Sequence, residues 1–199
     1  TVDEPWLDPF AGTYHSDDAC GSCYTDCTAI FDKDQAYGVC TLAGGDAGCE
    51  MACEAGYFDL NGVPDDGCEL QWDQGAVYVS GTDDLAQDDA SCGAGPTQTG
   101  NGNHPCLTIT AGLAQADALG KSRVLVAGAS YTEQVTLTSE IDLLGGYHPV
   151  NWGRDWQVNL TVVKAPTTAG HQKTIVALNI KQPTILQGFD IHGTSATTV

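Results

Sequence analysis

The chain has 199 residues, 42% of them hydrophobic, with 24 glycines and only 17% charged side chains, which argues for a turn-rich β protein of one domain or two small ones. Its 26 acidic residues against 7 basic ones give a formal net charge of -19. That balance argues against nucleic acid and anionic membrane surfaces as partners, since both need clustered Lys and Arg, while it offers carboxylates to hard cations such as calcium. Residues 1–19, acidic with two prolines and a few aromatics, predict an extended N-terminal arm that could reach a neighbour in an assembly. The chain opens at Thr1 with no apolar leader core and no membrane-spanning run, so the expectation is a secreted protein whose signal peptide is already removed.

Residues 20–69 form a cysteine-rich module holding Cys20, Cys23, Cys27, Cys40, Cys49, Cys53 and Cys68; Cys92 and Cys106 lie further on. Such density reads as a disulfide framework in an oxidising compartment, with one of the seven module cysteines unpaired and the connectivity open. Zinc is the rival, because Cys20-Gly-Ser-Cys23 has a zinc-like spacing, but no second pair completes a site. Asp59, Asn61, Asp65, Asp66 and Glu69 space oxygen ligands along a glycine-kinked loop, a pattern that suits calcium. Its plain alternative is an acidic turn whose Asp and Asn side chains bond their own backbone. Cys92 and Cys106 bracket an aperiodic Gly/Asn/Pro loop, and a disulfide closing it removes unfolded-state entropy of about 3 kcal/mol. A local pair is therefore predicted there.

From 77 to 199 the chain carries short apolar-alternating runs, at Val77–Val79, Val124–Val126, Val135–Leu137, Ile141–Leu144, Thr161–Val163, Ile175–Leu178, Thr184–Leu186 and Phe189–Ile191. Runs of three or four residues with small corners are too short for sandwich strands. They suit coils of a parallel β-solenoid, each strand pairing with its equivalent in the next coil. Leu107, Ile109, Leu113, Ala116 and Leu119 fall close to helical spacing and Gly120 stops them, predicting a cap helix near 107–119 over one end of the stack.

The module is similar to the cysteine-rich repeats of large secreted surface proteins from predatory gliding bacteria, through Cys20-Gly21-Ser22-Cys23, Cys53-Glu54-Ala55-Gly56-Tyr57 and Gly67-Cys68-Glu69. That pattern often has a cysteine where this chain has Leu60, which would account for the odd count. The remainder, about Val77 to Gly193, resembles the start of right-handed parallel β-helix domains of the pectin-lyase-like class. The pieces that carry the resemblance are Val126-Ala127-Gly128-Ala-Ser-Tyr131-Thr-Glu133, Leu144-Gly145-Gly146-Tyr147 and Gly188-Phe189-Asp190-Ile191-His192-Gly193.

Polysaccharide lyases and hydrolases of that class place acids on an outer strand face, which here would be Asp190 and His192, with Asp142 also facing out. Between the coils, Trp152 and Trp156 could form a carbohydrate platform. The resemblance favours instead a loop packed on the outer wall, with Arg154 paired to Asp155 or a neighbour. The sequence thus predicts a secreted, bacterial cell-surface protein of structural or adhesive kind, self-associating through an uncapped last coil, as in a filament, or forming part of a longer projecting surface protein. A carbohydrate-active enzyme or binding module is the alternative.

Overall fold

The computed structural model describes residues 15–22, 24–43, 46–59, 61–97, 103–167 and 173–194. It divides the chain into two compact units, Thr1–Trp72 and Asp73–Val199, a few residues from the expected junction after residue 69. Both units are mainly β.

In the first unit, β1 (His15–Ser16) pairs antiparallel with β2 (Ala19–Cys20), followed by the one-turn helix α1 (Cys27–Ile30). The extended arm expected over 1–19 therefore gives way at His15, because the backbone there finds partners: Cys27 N–H donates to the Asp17 carbonyl and Cys40 N–H to the Asp17 carboxylate. Residues 1–14 lie outside the described residues. The core of the unit is a hairpin of β3 (Ala36–Ala43) and β4 (Asp46–Cys53), and β5 (Tyr57–Phe58) pairs with β6 (Leu70–Gln71). Cys40 and Cys49 face each other across the hairpin, yet each is bonded outward: Cys20–Cys40 ties β2 to β3, and Cys27–Cys49 ties α1 to β4. Cys53–Cys68 closes the lower loop. Helix α1 comes so near the hairpin that a Cβ at Gly38 would stand 1.9 Å from the Cys27 carbonyl oxygen, so only glycine fits.

The second unit is built from three parallel sheets. Its strands are β7 (Ala76–Val79), β8 (Arg123–Ala127), β9 (Ser130–Thr132), β10 (Val135–Leu137), β11 (Asp142–Tyr147), β12 (Thr161–Lys164), β13 (Ile175–Ala177), β14 (Leu186–Gln187) and β15 (Phe189–His192). One sheet runs β14-β11-β8-β7, a second β15-β12-β9 and a third β10-β13. The chain thus visits the sheets in the same order twice, β8 to β9 to β10 and then β11 to β12 to β13, before β14 and β15 begin a third pass. Equivalent residues stack: Val124 on Leu143 on Leu186, Tyr131 on Val163 on Ile191, and Val135 on Ile175.

Burial changes along these ladders. Tyr131 is 4% exposed and Val163 0%, but Ile191 is 46% exposed. At the opposite end, helix α2 (Ile109–Leu119) lies over β7, β8 and β10, burying Ile109, Leu113 and Ala116, as the apolar spacing predicts. Gly112 sits so close that a Cβ there would be 2.3 Å from a Val79 methyl. Leu107 and Leu119, counted in the apolar face from sequence, are exposed, since the helix starts after Thr108 and ends at Leu119. Gly120 closes it in the left-handed region at φ 63.

Candidate functional site

The loop at 148–160 carries the residues on which a site could be built. Trp152 is buried: its ring packs edge-on against Tyr78 of β7 at 4.7 Å between centroids and lies 6.3 Å from that of Tyr147. Its φ of 53 is costly for a bulky residue, and this packing holds it there. Arg154 does not pair with Asp155. Its Nε donates to the Gly145 carbonyl and its Nη2 to Gln187 Oε1, joining β11 to β14 from outside, with the guanidinium 5.5 Å from the Tyr147 ring centroid. The loop is therefore a strap over the four-stranded sheet, and Trp152 offers no face to a sugar. That overturns half of the expected platform.

Trp156 behaves differently: it is 56% exposed on the rim of an open cleft of about 530 Å³. Leu160 and Phe189 give this cleft apolar surface, and Gln157, Gln187 and Asp190 give it polar groups. Asp190 Oδ2 lies 2.9 Å from His192 Nε2, both side chains being more than half exposed. Asp142 does not join them. It lies on β11, in another sheet, and its Oδ1 accepts the Ile185 N–H at 2.8 Å, so this carboxylate holds one pass of the chain to the next. The trio expected from sequence is not a constellation.

In the first unit, the loop expected to suit calcium satisfies itself. Asp59 Oδ1 accepts the N–H groups of Asn61 and Gly62, and Asn61 Nδ2 donates to both Asp66 and Glu69. Among the described residues, Asp59, Asp65, Asp66 and Glu69 do not bring three ligand oxygens within 4.8 Å of one another. The geometry is that of an Asx-turn closed by a side-chain amide. The sulfurs of Cys20, Cys27 and Cys40 do lie within 4.8 Å of one another, but all three are in disulfides and carry no thiolate for zinc. Cys92 is bonded to Cys106, and the four pairs leave Cys23, which lies outside the described residues.

Sequence reasoning missed two carboxylates that organise the second unit. Glu133 accepts the first two N–H groups of α2, those of Ile109 and Thr110, and Asp88 accepts the N–H groups of Leu107 and of the N-cap Thr108 just before it. Asp88 sits in the acidic loop after β7; the one available signal was a Thr108 N-cap with unpaired N–H groups beyond it.

Set against known protein families, curated proteins and solved structures, the chain matches none. Four disulfides fit an extracellular protein, and no helix among the described residues is long and apolar enough to cross a membrane.

Proposed function

We propose that the chain is a secreted, disulfide-stapled bacterial surface protein of structural or adhesive kind, whose second unit is a short right-handed parallel β-helix that self-associates through its last coil. One observation carries this reading: α2 covers one end of the stack, while at the other, among the described residues, apolar ladder positions lose their burial. Ile191 (46% exposed) continues the buried ladder of Tyr131 and Val163, and Leu186, stacked on the fully buried Leu143, is itself only half-buried. A parallel coil with a bare apolar end is a template for more β structure.

Charge agrees with that placement. Residues 1–72 carry fifteen acidic side chains and one basic, so they repel their own kind, whereas residues 140–194 carry four of each. Association between copies through the last coil is thus opposed by little net charge. The enzyme reading draws less support, because glycoside hydrolysis needs two carboxylates flanking one bond and Asp142 is committed to the backbone on another sheet.

Light scattering after size-exclusion chromatography, run over a range of protein concentrations, tests the proposal. Dimers or longer species that become monomers in Ile191→Asp support it. A monomer at every concentration, with filaments absent from negative-stain images, rejects it.

A further inference from the structure

We propose that the cleft beside Trp156 is a binding site for a neutral sugar. The volume, about 530 Å³, falls in the range of small-molecule sites, which combine an apolar surface with a few placed polar groups. A pyranose has the matching form, an apolar C–H face with a rim of hydroxyls. Trp156 supplies the aromatic face, and Gln157, Gln187 and Asp190 supply donors and acceptors around it.

The indole is held ready. Asp155 N–H donates to the Gly146 carbonyl, and the Asp155 carbonyl in turn accepts the N–H groups of Val158 and Asn159. Gly146 lets this turn approach so closely that a Cβ there would be 2.6 Å from the Trp156 Cα. A half-exposed tryptophan on a turn fixed at both flanks loses little freedom on binding. Trp152, four residues earlier on the same loop, is 9% exposed and packed, so the exposure of Trp156 belongs to its position rather than to a loose loop.

The polar groups select a neutral ligand. Gln187 Oε1 is taken by Arg154, which aims the amide N–H₂ as a donor. Arg154 uses its Nε on the Gly145 carbonyl as well, so it is a poor anchor for a uronate. Asp190 turns one oxygen to His192, and its Oδ1 has no partner among the described residues, leaving an acceptor for a hydroxyl and a repulsive charge for any carboxylated sugar. The cleft is lined by residues 156–161 and 187–190, and the sugar proposal does not rest on the assembly reading.

The test is titration of the oxidised full chain with neutral gluco-, galacto- and manno-oligosaccharides and with uronate oligomers, read by calorimetry and by tryptophan fluorescence. Saturable binding of a neutral oligosaccharide is expected, weakened at least about tenfold by Trp156→Ala and measurably by Asp190→Ala, with the melting temperatures of both variants unchanged. The proposal is overturned by no binding at about 10 mM sugar, by binding that survives Trp156→Ala, or by preference for uronates. Because the oligomeric state is measured separately, a failed titration leaves the assembly reading as it stands.

Discussion

Glu133 holds Thr110 twice: its Oε2 accepts the Thr110 amide at 2.9 Å and the Thr110 hydroxyl at 2.6 Å. Its other oxygen takes the Ile109 N–H, so one carboxylate from the β9–β10 corner serves the positive end of α2. The cap helix is thereby fastened to the first full pass of the chain as well as packed on it. Glu133→Ala leaves two helix N–H groups unpaired beside a buried face and is expected to cost about 2 kcal/mol, seen as a lower thermal midpoint. Glu133→Gln, which keeps one acceptor, should recover part of the loss. Equal melting of all three proteins would show that the bond is incidental.

Much of this was legible beforehand. The apolar runs at Val124, Val135, Ile141, Thr161 and Ile175 became strands because each needs only alternation and a small corner. Strand β9 was not legible: Ser130–Thr132 has one apolar residue, Tyr131, and its register comes from the next pass of the chain rather than from its own pattern. The hairpin of β3 and β4 carried a signal that went unused, Gly44-Gly45 between two runs of eight. Among site residues, Trp152 and Trp156 are identical in type and four apart, and only the sheet beneath decides which is buried. Asp142 reads as an outward acid, but no sequence pattern announces that its partner is a backbone N–H on Ile185.

The Cys92–Cys106 bond closes a loop that also lends backbone to β7, through Tyr78 N–H to Gly93 and Cys106 N–H to Tyr78. Replacing both cysteines by serine is expected to destabilise the second unit by about 3 kcal/mol. Chemical denaturation checks this, and a second unit unaffected by the double variant would show that the loop is held by its backbone bonds alone.

Tyr78 and Tyr131 are buried, and desolvation pushes both phenols well above their ordinary value of 10.0. A folded-state pKa above the unfolded one means that the folded chain holds the proton more tightly. Their contribution to stability is thus complete below about pH 10 and falls away as the pH climbs past it. An absorbance titration of phenolate should therefore show two of the seven tyrosines silent until the second unit unfolds. Seven tyrosines titrating together near their ordinary value, with the fold intact, would contradict the burial.

Asp142→Ala and Asp190→Ala should separate cleanly. The first removes the acceptor of the Ile185 N–H between passes and is expected to cost about 1–2 kcal/mol of stability. The second removes a surface carboxylate paired only with an exposed His192, and the melting point should hardly move. A large loss in the second variant, or none in the first, would reverse the roles assigned to these two acids.

Gly145 and Gly188 occupy facing places in successive passes, each so close that an added Cβ would stand 2.4 Å from the carbonyl oxygen of the other. Those are backbone atoms and cannot swing aside as a long side chain could. Gly188 also sits at φ 83, where a Cβ is strained whatever the space. Gly145→Ala must push the passes apart at the point where Arg154 bridges them, and is expected to cost about 3 kcal/mol. At Gly193 a Cβ would meet nothing within 4 Å, so Gly193→Ala should lie within about 0.5 kcal/mol of the parent. Thermal denaturation of the two variants side by side decides the matter: if Gly145→Ala melts with Gly193→Ala, the passes are not stacked as tightly as these distances require.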